Sequence, residues 1–499
     1  MTDEILDRAT FDRAIFDQAT FDQAIFDRAI FDRASAAAVV MARSSGADRA
    51  GWLRAVADAL DADVADLVAI ADRETHLGVA RLTGEVARTS GQLRLFASVV
   101  DEGSYLEATI DHPVPTATPP RPDLRRMLRP LGPVAVFAAS NFPFAFSVAG
   151  GDTASALAVG SPVIVKAHPG HPELSRRTAG LVEKALLAAG APAGAFALVE
   201  GYEAGIALVQ HPAIAAVAFT GSVTGGRALH DLAAARPAPI PFYGELGSIN
   251  PVVVTRQADA ERGSTLATGL FGSVTLGMGQ FCTKPGIVFV PTDSALEAQL
   301  GALESSTVDA VLTESMLTES IAAGFTAGAE RLLDIPGVRP VLGSVSGPLV
   351  VTTPVDTFDA HADELLTEVF GPATVLVRYD TDAQLLAALD RLEGTLTATL
   401  HAGDSERVPA VLERLEQIAG RVLFAGWPTG VAVTWAQHHG GPWPSTTSQF
   451  TSVGATAVGR FLRPIAYQDA PAAALPPALR DENPLGIPRR VDGILATRD

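Results

Sequence analysis

Apolar positions recur at helical spacing over residues 47–60, 63–74 and 84–100, and Asp101-Glu102-Gly103 closes the third pattern. A proline-rich link at 112–122 leads into a short extended run at 124–129. Strand-length apolar runs then alternate with helical patterns: 134–137 before a helix from Ser147, 163–165 before one from Pro172, 196–199 before one from Glu203, and 215–219 before one from Ser222. This alternation predicts a parallel sheet with helices on both faces. A second series follows Asn250, with strands at 251–254, 286–290, 349–352, 374–378, 396–400 and 421–424, and predicts a second α/β domain.

Ahead of both lies a five-residue repeat that places Phe11, Phe16, Phe21, Phe26 and Phe31 at equal intervals. A period of five matches neither a helix face nor a strand face, so a regular helix would carry these rings around its circumference. Six units are too few for a pentapeptide-repeat β-helix, which predicts a partly helical or disordered extension that chemistry can do without. Two uncharged windows reach membrane-spanning length, 130–151 and 263–283. Their internal prolines and glycines predict several short buried elements in each, and no membrane partner is expected.

The composition, 47% hydrophobic and 19% charged, fits a large protein with two or three cores. A net charge of −19 opposes binding to nucleic acid or anionic membranes. Met1-Thr2-Asp3-Glu4 offers no basic n-region and no apolar h-region, so a cytoplasmic setting, suited to a free thiol, is expected.

That thiol is Cys282, the only cysteine, in Gly277-Met278-Gly279-Gln280-Phe281-Cys282-Thr283-Lys284-Pro285-Gly286. A lone cysteine makes no intrachain disulfide or cysteine-cluster metal site, and no metal is expected. Its remaining roles are packing or a reactive thiolate, and flanking glycines that allow close backbone approach to a ligand point to a nucleophile. Lysine occurs only at 166, 184 and 284. Lys166 ends a strand-like run, where parallel α/β sheets place ligand contacts. At another strand-to-helix junction, Phe219-Thr220-Gly221-Ser222-Val223-Thr224-Gly225-Gly226 offers a tight turn, a capping serine and free N–H groups for a pyrophosphate.

Taken in order, Ser140-Asn141-Phe142-Pro143, Val165-Lys166-Ala167-His168-Pro169, residues 219–226, Gly244-Glu245-Leu246-Gly247, Gly279-Gln280-Phe281-Cys282 and Glu368-Val369-Phe370-Gly371-Pro372 resemble the aldehyde dehydrogenase superfamily from about Ala36 to the C-terminus. The resemblance implies Cys282 as nucleophile, Glu245 as general base and Asn141 as an oxyanion donor. It also implies Lys166, Gly221, Ser222, Gly226, Glu368 and Phe370 as cofactor contacts. Taken singly, Glu245 reads as a cap or salt-bridge residue and Asn141 as a turn residue; their ordered occurrence with Cys282 outweighs both readings. Burial is expected to lift the Glu245 pKa towards neutrality.

The fold class implied is α/β and aldehyde dehydrogenase-like: a Rossmann-type cofactor domain (35–112 and 131–246), an α/β catalytic domain (247–441), and a small β oligomerisation arm with C-terminal tail (113–130 and 442–499), after the repeat segment 1–34. The arm is expected to join 113–130 to the chain near 461–468. NAD-preferring relatives carry glutamate where Pro169 stands here, which implies NADP as cofactor with NAD possible. The stretches 166–172, 424–431, 440–447 and 484–489 resemble the branch of 2-oxoglutarate semialdehyde dehydrogenases and an NADP-dependent fatty aldehyde dehydrogenase, although Ala425 replaces an expected asparagine. The implied reaction oxidises 2-oxoglutarate semialdehyde to 2-oxoglutarate through a cysteine thioester, in a homodimer or homotetramer. A fatty or aliphatic aldehyde substrate and a catalytically silent scaffold are the alternatives.

Overall fold

A computed structural model describes residues 28–303, 311 and 315–496. Three sheets organise the chain. The first is five-stranded and wholly parallel, in the order Phe196–Val199, Val163–Lys166, Val134–Phe137, Ala216–Thr220, Phe242–Glu245. Its strands alternate between two cores, as the two-residue period of a strand requires. Val134, Val136, Val163 and Val165 pack under the N-terminal helices, whereas Ala135, Phe137, Ile164 and Val217 pack on the opposite side. The chain runs outwards from Val134–Phe137 in one direction and then returns to add Ala216–Thr220 on its other flank. A crevice therefore opens at the carboxyl ends of these two strands.

The second sheet has seven strands, in the order Arg339–Gly343, Leu349–Pro354, Ala373–Tyr379, Ile287–Pro291, Pro251–Val254, Thr395–His401, Ala419–Phe424. Only the Arg339–Gly343 edge pairing is antiparallel. The third sheet joins Leu462–Gln468, Leu124–Pro130, Thr109–Asp111, Arg489–Val491 and Ile494–Ala496. Among the described residues no helix is long and apolar enough to cross a membrane.

Several elements depart from the expectations of the sequence. The helix expected from 84 begins at Val79 and runs to Glu102, because Gly84 lies on an open face where helix continuity meets no obstacle. The helix expected from Ser147 starts at Gly151. Residues before it turn instead, since the Phe144 and Ala145 amides donate to the Glu85 carboxylate at 2.8 and 3.0 Å. Most of the second uncharged window is one helix, Arg256–Thr275, not several short elements. Strand Phe242–Glu245 gave no periodic signal: it is four residues long, at a sheet edge, behind Pro237, Pro239 and Pro241.

The unit allotted to 1–34 also needs correction. Phe11, Phe16, Phe21 and Phe26 lie outside the described residues, but Phe31 belongs to helix Arg28–Met41 and is only 2% exposed. Its ring stacks on His211 with centroids 3.5 Å apart, and it joins Ala34 in the core of the first sheet. The last repeat unit is thus part of the body built on the first sheet, and removing residues 2–34 would strip core side chains. Similarly, 442–461 does not belong with the arm. Thr446 bridges Glu245, and Ala455, Val458 and Phe461 enter the core beneath the first sheet.

Phe31→Ala is expected to lower unfolding stability by about 3 kcal/mol, the ordinary cost of emptying a buried phenylalanine site. A urea titration of the full-length chain measures it, and a loss below about 0.5 kcal/mol would remove Phe31 from the core.

Candidate active site

Cys282 follows a chain reversal. After helix Arg256–Thr275, Gly277, Met278 and Gly279 adopt φ values of 54°, 56° and 62°. Left-handed backbone favours glycine, and packing demands it again: a Cβ on Gly279 would collide with the Gly371 carbonyl, and one on Gly277 with Arg81. These glycines therefore serve the turn and its packing.

Glu245 ends strand Phe242–Glu245, and the segment around 445–452 clasps that strand. Leu246 N donates to Ser445 O at 2.8 Å, and Thr447 N to Gly244 O at 3.0 Å. This clasp brings two partners that sequence reasoning missed. His439 Nε2 lies 3.1 Å from Glu245 Oε1 and 3.5 Å from Cys282 Sγ, and the Ser452 hydroxyl donates to Glu245 Oε2 at 2.7 Å. Ligand atoms of Glu245, Cys282 and His439 all fall within 4.8 Å of one another.

The electrostatics follow from these contacts. Burial pushes the Cys282 thiol well above its ordinary value, and the neighbouring Glu245 charge pushes it further. Burial alone would also raise Glu245, but the His439 ring, the Ser452 hydroxyl and the Cys282 thiol outweigh it and hold the carboxyl below its ordinary value. The expected upward shift of Glu245 is overturned because its negative charge is hydrogen-bonded instead of merely buried. At rest the pair is a thiol beside a carboxylate, with an imidazole between them.

Asn141 is buried on the turn between strand Val134–Phe137 and helix Gly151–Val159. Its amide donates to Gln280 O at 3.0 Å, two residues before Cys282, which leaves its second N–H for another acceptor. Helix Val79–Glu102 fixes this turn with one face. Arg81 donates to Asn141 O at 2.7 Å and lies over the Phe142 and Phe281 rings; Glu85 holds the following amides; and Arg88 sits over Phe142 and Phe146. Residues 81, 85 and 88 share a helix face by their spacing of four and three. That interruption of an otherwise apolar face was the available sequence signal.

The six residues assigned to the cofactor fall into two groups. Lys166 ends a central strand and is buried, which lowers its ammonium to about 8 despite the Glu200 carboxylate nearby. Ser222 caps helix Val223–Ala234 by accepting from Gly225 N at 3.2 Å, and this N-terminus opens onto the crevice between sheet strands. Gly221 and Gly226 serve packing: added Cβ atoms would meet Phe219 and Leu246. Glu368 and half-buried Phe370 come from the second sheet's side. Glu368 accepts from Ser248 N, and a Cβ on Gly247 would stand 2.7 Å from its Oε2. Lys284 holds this segment by donating to Ala373 O at 2.6 Å and Val369 O at 3.3 Å. Burial raises the Glu368 carboxyl and lowers the Lys284 ammonium. A buried ammonium and an open helix N-terminus fit a dinucleotide phosphate and ribose, and Glu368 offers an acceptor from the facing side.

Ala425, where asparagine was expected, has φ of 53°, a left-handed conformation that asparagine tolerates better than alanine. The backbone suited to asparagine is retained without its side chain.

The aldehyde dehydrogenase family model matches residues 8–461. Alpha-ketoglutaric semialdehyde dehydrogenase 2 of Azospirillum brasilense is 47% identical over 462 residues, spanning 90% of this chain and 87% of that relative. Alpha-ketoglutaric semialdehyde dehydrogenase of Acinetobacter baylyi is 43% identical over 458 residues, with the same two coverages of 90% and 87%. Among solved structures, an NADP dependent enzyme of E. coli superposes with a TM-score of 0.72 at 23% identity, over 88% of this chain and 89% of that one.

Because Cys282 is the only thiol, its alkylation by iodoacetamide reports its ionisation directly. The rate is expected to rise with pH through a midpoint above that of an ordinary thiol. Glu245→Gln, by removing the charge that raises it, is expected to move the midpoint to lower pH. An unchanged or higher midpoint would overturn the coupling.

Proposed function

This chain belongs to the aldehyde dehydrogenase family, and on that premise we propose that it oxidises 2-oxoglutarate semialdehyde to 2-oxoglutarate, with NADP or NAD as hydride acceptor. The observation that carries the chemistry is the contact of half-buried Cys282 with buried His439 and Glu245. The substrate is supported by the two relatives at 47% and 43% identity, both named for that semialdehyde.

The Cys282 thiol passes its proton to Glu245, directly or through His439, and the sulfur forms a bond to the aldehyde carbon. The carbonyl π electrons move to oxygen, and the free Asn141 N–H and the Cys282 backbone N–H hold that oxyanion. When bound, the nicotinamide dinucleotide supplies an acceptor for the hydride that leaves this carbon. Once sulfur is acylated, it no longer donates to Glu245, so the carboxylate loses one of the bonds that hold its pKa down and becomes a better base. Glu245 first releases the proton it took from sulfur to solvent and, as a carboxylate again, takes a proton from water; hydroxide attacks the thioester carbonyl, and the C–S bond breaks to return the thiolate.

Lys166 and the capped helix at Val223 would hold the dinucleotide phosphates and ribose, with Glu368 and Phe370 on the facing side. Pro169 presents no carboxylate to a ribose 2′-phosphate, and Glu200, whose charge reaches Lys166, is paired with Arg176 at 3.1 Å. Both features support use of NADP. Exposed Ile494 and Leu495 on an edge strand and exposed Phe424 on another support assembly into a homodimer or homotetramer, and the single free thiol suits a reducing cytoplasm.

An aldehyde panel assayed in parallel with both coenzymes tests the proposal. The expected result is the highest kcat/KM for 2-oxoglutarate semialdehyde and at least equal use of NADP; preference for aliphatic aldehydes or a strong preference for NAD would overturn the corresponding half.

In Glu245→Gln the thiol ionises more readily but passes its proton to solvent, so a burst of nicotinamide absorbance of about one equivalent per site is still expected, followed by turnover reduced by roughly 100-fold or more as thioester accumulates. Undiminished steady-state turnover at neutral pH would refute the role of Glu245 in deacylation.

A further inference from the structure

Helix Val79–Glu102 delivers a guanidinium to the mouth of the site that no step above employs. Arg88 Nε and Nη2 are buried without a protein hydrogen-bond partner, and no described carboxylate lies within ion-pair distance of them. Glu85, one turn earlier, commits Oε1 to the Phe144 and Ala145 amides; its Oε2 makes no hydrogen bond, and its charge acts on Arg88 from beyond ion-pair distance. Buried N–H groups left unmade are costly, so an acceptor supplied from outside the chain would be held strongly. Nε–H and Nη2–H project from the same edge of the guanidinium, the edge that grips both oxygens of a carboxylate. Arg125 uses the same two atoms on Asp123 in this protein, at 2.9 and 3.1 Å.

The surroundings fix where such a ligand would lie. The Arg88 guanidinium carbon is 5.5 Å from the Phe142 ring centroid and 5.4 Å from that of Phe146. Phe142 meets Phe281, the residue before Cys282, edge-on at 5.2 Å, and Phe146 lies 6.2 Å from His439. Aromatic walls thus run from Arg88 to the reacting thiol. The Arg88 charge acts first on Glu85 and then on Cys282 and Glu245. The rings would suit any short aliphatic chain; the guanidinium at their far end would not suit one without an anionic terminus.

We propose that Arg88 binds the distal carboxylate of the substrate through Nε and Nη2, making this a site for ω-aldehydes of short carboxylic acids and setting specificity against uncharged aldehydes. The assignment rests on aldehyde oxidation at Cys282, and it names the group that recognises the acid end.

Steady-state kinetics with 2-oxoglutarate semialdehyde, glutaric semialdehyde and pentanal, for the wild type, Arg88→Met and Arg88→Lys, test it. Arg88→Met is expected to lower kcat/KM about 30-fold or more further for the carboxylated aldehydes than for pentanal, chiefly through KM, the loss shared by all three substrates reporting the removal of its charge from beside Cys282 and Glu245. Arg88→Lys keeps the charge but loses the two-pronged geometry, and is expected to recover about a tenth of the wild-type value with the carboxylated substrates alone. If Arg88→Met does not fold, the substrate-selective loss in Arg88→Lys decides the matter. Equal losses on all three substrates, or no loss on the carboxylated pair, would overturn the proposal. Wild-type preference for glutaric semialdehyde, with the selective loss intact, would displace the proposed substrate and leave Arg88 standing. Retained preference for 2-oxoglutarate semialdehyde in Arg88→Met would do the reverse.

Discussion

Asn250 is the buried hinge on which the site depends. Its Nδ2 donates to the carbonyls of Cys282 and Lys284 at 2.8 and 3.0 Å, while its Oδ1 accepts from the Ser248 hydroxyl at 2.7 Å and from Thr397 N at 3.1 Å. Its own N–H donates to the Thr395 hydroxyl. One fully buried amide thus joins the cysteine loop, the link after Glu245 and the strand Thr395–His401. Each bond contributes about 1 kcal/mol net, but losing one strands a buried partner at a cost of about 1–3 kcal/mol. Asn250 has φ of 50°, a conformation that asparagine adopts more readily than most residues. Lys284 extends the same loop towards Val369 and Ala373, so the segment carrying Glu368 is tied to the position of Cys282.

With position fixed in this way, reactivity is governed by how protons are shared. A buried thiol with a raised pKa is a poor nucleophile by itself, and a carboxylate stabilised by three donors is a poor base by itself. Their opposition is useful in sequence: the carboxylate is nearest when a proton must leave sulfur, and it loses a donor when sulfur is acylated and water is to be activated. His439 touches both, which makes it the natural route between them.

Much of this was legible in the chain. The paired strand–helix series, the lone cysteine and the ordered motifs locate the parallel sheet, the mostly parallel one and most of the strands in them, because buried parallel strands read as short unbroken apolar runs. What escaped notice depends on contacts distant in sequence. His439 and Ser452 reach Glu245 across about two hundred residues, through backbone pairing of an irregular segment that has no periodicity. Phe31 looked like one member of a repeat, yet differs from it by meeting His211. The glycines around Cys282 were visible, but the reason for them lay in Gly371 and Arg81, on other elements. Glu245 was recognised while its pKa direction was not, since burial is suggested by sequence and hydrogen-bond partners are not.

Helix Val79–Glu102 shows how a scaffold element can determine chemistry without entering the reaction. Its apolar positions, among them Leu82, Val86 and Leu93, anchor it in the core, and this rigid burial sets where Arg81, Glu85 and Arg88 stand. Arg81 and Glu85 both act on the turn that carries Asn141, one at a carbonyl and the other at two amides. A flexible loop would otherwise need those groups satisfied by water, and the Asn141 side chain would wander. Packing on one face of a helix therefore becomes precision at Asn141 and charge at Arg88, and the same three-turn stretch that stabilises the fold also walls the space beside Cys282.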